Sequence, residues 1–123
     1  MKKILIVEDE IAYVELLHDQ LSKKGYTVIQ ARDGGEGLEL AKKEKPDLIL
    51  LDIRMPVMDG LTMLKLLRKE KEAGKTKVII LTNLEPDDKI ITQVIKTEPT
   101  YYCVKSDTGL DNLIEKIREL IVT

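Results

Sequence analysis

Asp47-Leu48-Ile49-Leu50-Leu51-Asp52 is a run of four large aliphatic residues closed at each end by a carboxylate. Unbroken apolar runs put side chains on both faces of a strand into dry surroundings, which is the pattern of a parallel sheet covered on both sides. The run is far too short to span a bilayer. Ile53-Arg54-Met55-Pro56-Val57-Met58-Asp59-Gly60 follows and reads as a loop, and residues 61–73 read as a helix stopped by Gly74.

The same unit repeats in both directions. Residues 3–7 form a short apolar run ended by Glu8. Residues 11–24 carry Val14, Leu17 and Leu21 on one helical stripe, with Gly25 as a stop. Residues 26–31 read as a strand, and Asp33 caps a helix that runs to about Glu44, where Lys45-Pro46 ends it. Beyond the opening stretch, 77–81 is a buried strand, 86–96 a helix that Pro86 can start, 100–104 a strand and 110–122 the closing helix. Five β-α units in alternation predict an α/β protein with a doubly wound parallel sheet.

The chain has 123 residues, which fits one domain, so 1–123 is read as a single domain. Its net charge of −2 is spread without blocks of like sign, which gives no bulk attraction to nucleic acid or membrane. The N-terminus lacks the pattern of a signal peptide, so a cytoplasmic protein is expected. Cys103 is the single cysteine and has no partner for an internal disulfide; it is expected as a small buried hydrophobe.

Ligands of open α/β sheets bind beyond the carboxyl ends of the strands. Glu8, Asp9 and Glu10 follow the first strand, Arg32 and Asp33 the second, Asp52 the third, Thr82 and Asn83 the fourth, and Lys105 and Ser106 the fifth. If the first and third strands are neighbours, Glu8, Asp9 and Asp52 converge. Two carboxylates about 4 Å apart repel by roughly 4 kcal/mol at an effective dielectric near 20. A hard divalent cation such as Mg²⁺ resolves that repulsion. A metal, the Lys105 ammonium and the Thr82 hydroxyl around one carboxylate suit phosphoryl transfer, with aspartate as the nucleophile. Taken singly, each residue also has an ordinary role: acids at strand ends cap helices, and lysines at loops are solvated.

These positions resemble the receiver domains of bacterial two-component response regulators. The resemblance is carried by Ile4-Leu5-Ile6-Val7-Glu8-Asp9, by the stretch from Asp47 through Met55-Pro56 to Gly60, by Val78-Ile79-Ile80-Leu81-Thr82 and by Tyr102-Cys103-Val104-Lys105. It implies a flavodoxin-like (βα)5 fold with strand order 2-1-3-4-5. It implies Asp52 as phosphoryl acceptor, Asp9 as direct Mg²⁺ ligand, Glu8 as a ligand through water and the Arg54 backbone carbonyl as a further ligand. Lys105 resembles the lysine that pairs with the acceptor, Thr82 the switch hydroxyl and Tyr102 the rotating aromatic.

The implied function is a phosphorylation-dependent signalling switch rather than an enzyme acting on a separate substrate. The implied partners are a sensor histidine kinase or histidine phosphotransfer domain and, downstream, a target protein or attached output domain. Phosphorylation would reshape the face made by the fourth helix, fifth strand and fifth helix. Leu16, off the Val14–Leu17–Leu21 stripe, and Tyr13 one turn earlier are expected to face outward and dock the phosphodonor. Arg54 and Leu84 lie where the family tunes acyl-phosphate hydrolysis, and His18 is expected in a structural or surface role.

The chain departs from the family pattern at Glu8 (usually Asp), at Ser106 (usually Pro, often after a cis bond), at Asn83 (usually small) and at Thr97-Glu98-Pro99-Thr100 (usually a Gly-Ala approach).

Three other readings compete. A flavin carrier of the same topology needs a Ser/Thr/Gly phosphate loop where Glu8-Asp9-Glu10 stands. A haloacid-dehalogenase-type hydrolase needs a second Asp two residues after its nucleophile, where Arg54 stands. A binding module that has lost phosphorylation would not need the full acceptor set. With the closing helix at the chain's end, the domain is expected either as a stand-alone receiver or as a piece of a longer regulator.

Overall fold

The computed structural model describes residues 2–53, 58–83, 92, 94, 96, 98–106 and 108–122. Its elements alternate as expected: β1 (Lys3–Val7), α1 (Ile11–Lys23), β2 (Thr27–Ala31), α2 (Gly34–Glu44), β3 (Leu48–Leu51), α3 (Gly60–Leu67), a 3₁₀ turn (Ala73–Lys75), β4 (Lys77–Thr82), β5 (Tyr101–Val104) and the closing helix α4 (Leu110–Leu120). Between β4 and β5, Thr92, Val94 and Lys96 are helical; the rest of the expected 86–96 helix lies outside the described residues.

The strands form one five-stranded sheet in the order β2-β1-β3-β4-β5. Every neighbouring pair is parallel. This is the doubly wound order that the resemblance implied.

Strand alternation divides the core in two. Leu5, Val7, Ile49, Leu51, Val78 and Ile80 pack under α2 and α3, against Ala41, Met63, Leu64 and Leu67. Ile4, Ile6, Leu48, Leu50, Ile79, Leu81 and Cys103 pack under α1 and α4, against Val14, Leu17, Leu21, Leu113 and Ile117. All four β3 residues are buried, as the opening run required. Burying a side chain of this size contributes about 1.5–3 kcal/mol, so the central strands anchor whatever is mounted on their ends. Cys103 is a buried strand residue as expected.

Local signals set most boundaries. The Asp33 carboxylate accepts from the Glu36 N–H at 2.8 Å and caps α2, which ends at Lys45 in the left-handed region (φ 48°). Asp59 caps α3 in the same way, accepting from the Thr62 N–H at 2.8 Å.

The expected end of α3 at Gly74 is wrong. The helix stops at Leu67, where Lys69 and Glu70 bond back three residues instead of four. The Arg68 guanidinium donates to the carbonyls of Gly74 (3.0 Å), Thr76 (2.6 Å) and Glu98 (2.8 Å). Helix periodicity through residue 73 is overridden because this one side chain satisfies the carbonyls of the turn that replaces the helix. The third bond also ties down the approach to β5 at Glu98, which has φ 51°.

Candidate functional site

Parallel register alone brings the first two acids together. Val7 pairs with Leu51 across β1 and β3, so Glu8 and Asp52 leave the sheet side by side. The backbone fixes both: the Asp52 N–H donates to the Val7 carbonyl and the Glu8 N–H to the Ala31 carbonyl, each at 3.0 Å. Glu8 is 4% exposed and Asp52 8%, while Asp9 is open to solvent. One carboxylate oxygen from each of the three lies within 4.8 Å of the others.

Lys105 starts two strands away from Asp52, a gap of about 10 Å that only a long side chain spans. Its Nζ lies 2.6 Å from Glu8 Oε1 and 3.6 Å from Asp52 Oδ2. The ammonium also sits over the ring of Tyr13, 4.4 Å from its centroid. Thr82 ends β4 and is 1% exposed. Its carbonyl accepts from the Lys105 N–H at 2.7 Å, so the hydroxyl-bearing residue and the lysine are joined through the backbone.

The acid cluster is electrostatically overloaded. Burial, and then the carboxylate of Asp52 beside it, push the Glu8 carboxyl up to about 8, with Lys105 acting against them. A carboxyl that holds a proton near neutral pH, beside two further carboxylates, fits a site that takes a cation from solvent. The oxygen-only donor set suits Mg²⁺, with Asp9, Asp52 and Glu8 as the residues that would hold it. Gly60 lets α3 approach the Asp52 backbone closely. Its N–H donates to the Ile53 carbonyl at 2.8 Å, and a Cβ there would overlap the Asp52 carbonyl oxygen.

The sequence-selected residues therefore divide. Glu8, Asp9, Asp52 and Lys105 converge. Leu16 is 44% exposed on α1, and His18 is also at the surface. Tyr102 is half-buried against the cluster that contains Val94, and it is Tyr101, whose ring lies 4.7 Å from Lys116 Nζ, that faces the closing helix. Arg54 and Leu84 lie outside the described residues. Among the described residues no peptide bond is cis, Lys105–Ser106 included.

Tyr13 corrects the sequence reading. Expected to face outward with Leu16, it is half-buried and packs with the α1–α4 core, its ring against Lys105. The signal was present: Tyr13, Leu17 and Leu21 form an i, i+4 row, so Tyr13 extends the buried stripe. Burial, followed by the charge of Glu8, raises its phenol to about 12, so it stays neutral.

Comparison with known proteins agrees with this geometry. Residues 4–118 match the family described as response regulator receiver domain. Protein PilH of Pseudomonas aeruginosa is 40% identical over 91 residues, covering 73% of this chain and 75% of that protein. Sporulation initiation phosphotransferase F of Bacillus subtilis is 42% identical over 81 residues, covering 66% and 64%. The Bacillus subtilis regulator PhoP is 51% identical over 70 residues, 57% of this chain but only 29% of that protein. Among solved structures, chemotaxis protein CheY4 of Vibrio cholerae superposes with a TM-score of 0.88 at 29% identity, covering 98% and 99%. Response regulator TrrA of Thermotoga maritima, solved in complex with Mg²⁺-BeF, gives 0.85 at 35% identity, covering 98% and 100%. With a match that runs through all five strands and into the closing helix, the chain belongs to the response regulator receiver domain family.

Proposed function

We propose that this receiver domain is a switch that accepts a phosphoryl group on Asp52 from a histidine kinase or histidine phosphotransfer domain. The observation that carries the reading is the cluster itself: three carboxylates within 4.8 Å of one another, with an ammonium 3.6 Å from Asp52. An Asp52 oxygen attacks phosphorus as the bond to the donor's imidazole nitrogen breaks, and the nitrogen leaves with the electron pair. Mg²⁺ bound by Asp9, Asp52, Glu8 and the Arg54 carbonyl would neutralise charge on the equatorial oxygens. Lys105 balances the charge that remains, and the Thr82 hydroxyl donates to a phosphoryl oxygen.

Thr82 moving toward Asp52 makes room for Tyr102 to turn in. The face around Val94, β5 and the closing helix then changes shape for a downstream protein or attached output domain. The phosphoryl group biases this equilibrium only through contacts that differ between the two states. Exposed Leu16, with the outer edge of Tyr13, docks the donor. The similarity to a sporulation phosphotransferase and to a regulator solved with Mg²⁺-BeF supports this reading. Beryllofluoride with Mg²⁺ is expected to shift the NMR signals of Thr82 and Tyr102; unchanged signals at both would contradict the switch.

A further inference from the structure

Among the described residues, the Lys105 ammonium lies against two carboxylates and one aromatic ring. Glu8 at 2.6 Å belongs to the acid cluster, Asp52 at 3.6 Å is the proposed acceptor, and the Tyr13 ring lies 4.4 Å below. Lysine is a point charge on a flexible four-carbon stem, so its position is set by what surrounds the head group. Glu8 cannot serve as its sole anchor, because that carboxylate is also one of the residues fitted to a cation. An ammonium over an aromatic face is attracted by the ring quadrupole, most strongly where water is excluded. The Lys105 side chain is 7% exposed, which meets that condition. Tyr13 is itself held in place by the α1–α4 core, and with Glu8, Leu51 and Asp52 it walls a small gap beneath the acids.

We propose that Tyr13 is a positioning residue for phosphoryl transfer: its ring face holds the Lys105 ammonium toward Asp52 when Glu8 is engaged elsewhere. The role rests on the acceptor reading above and acts through Lys105 rather than on substrate. It is also separable from docking. A docking residue matters only when the donor is a protein, whereas a positioning residue matters for any donor.

The test uses acetyl phosphate, a donor with no protein surface, and Mg²⁺, with Tyr13→Leu and Tyr13→Phe. Leucine keeps the apolar contact with the core and removes the ring; phenylalanine keeps the ring. The initial rate of Asp52 phosphorylation should fall about fivefold in Tyr13→Leu and stay within about twofold in Tyr13→Phe. In metal-free protein, the Lys105 Cε–H NMR signals should be displaced upfield by the ring current in the parent and in Tyr13→Phe, and return to the ordinary lysine position in Tyr13→Leu. Should Tyr13→Leu fail to fold, Tyr13→Met makes the same comparison. Equal rates for Tyr13→Leu and the parent overturn the proposal, as does an undisplaced Lys105 signal in the parent. An equal loss in Tyr13→Leu and Tyr13→Phe assigns the effect to the hydroxyl and also overturns it. Absence of phosphorylation in the parent overturns the acceptor reading and this role with it, while a phosphorylated parent matched by Tyr13→Leu removes only the role of Tyr13.

Discussion

The two ends of the same sheet treat charge in opposite ways. At the amino ends of the strands, charged groups are matched. The Asp47 carboxylate accepts from the Lys3 N–H at 2.8 Å. Lys3 Nζ pairs with Glu44 at 3.5 Å, and Lys77 donates to the Leu120 carbonyl. At the carboxyl ends, Glu8, Asp9 and Asp52 crowd together and Lys105 is the ammonium that pairs with two of them. The matched end joins β1 to β3 and the closing helix to the sheet. The mismatched end holds like charges together, a repulsion that a bound cation would relieve. Departures from local consistency of this kind are expected where a fold gives up stability for function.

The largest effect expected of a substitution tests whether the mismatched end depends on the Lys105 ammonium. Lys105→Met should destabilise the metal-free protein by about 3 kcal/mol in urea unfolding at pH 8, because it leaves buried carboxylates uncompensated. A loss below about 1 kcal/mol would place the acids in water rather than in a shared site.

Gly60→Ala should cost about 2 kcal/mol, since its Cβ must displace the Asp52 carbonyl. It should also slow phosphorylation, by moving the acceptor.

The pH dependence of stability separates the two ends further. Glu8 binds its proton more tightly in the folded chain, with a pKa near 8 against an ordinary 4.5. Between those values the folded state carries the proton and the unfolded state has lost it. Stability therefore falls as pH rises through that window, by up to about 1.4 kcal/mol per pH unit, and levels off above about 8. Mg²⁺ competes with that proton, so its affinity should rise with pH from about 6 to 8, by at most about tenfold per unit. A flat affinity over this range would show that Glu8 is already ionised.

The smallest effect belongs to the matched end. Asp47→Asn should cost about 0.5–1.5 kcal/mol through a weaker bond to the Lys3 N–H, with the phosphorylation rate unaltered.

The contrast also marks what the sequence could tell. Leu48-Ile49-Leu50-Leu51 and the equivalent apolar runs announced a sheet covered on both faces, and Asp33 announced its cap, because each depends on neighbours in the chain. The acid cluster was legible for a related reason: once strands are parallel and in register, residues that end them must converge. What escaped were contacts made by long side chains across the fold. Arg68 ends α3 by reaching carbonyls up to thirty residues away. Lys105 crosses from β5 to the ring of Tyr13 on α1. Periodicity shows that Tyr13 lies on the buried row, but not that a lysine from the other end of the chain lands on it.

Asp52 is the proposed phosphoryl-accepting member of the mismatched end. The most direct measurement is the intact mass of the parent and of Asp52→Asn after incubation with acetyl phosphate, with and without Mg²⁺. The account predicts a gain of one phosphoryl group in the parent, dependent on Mg²⁺, and none in Asp52→Asn. The same gain in Asp52→Asn, or no gain in the parent with Mg²⁺ present, would contradict it.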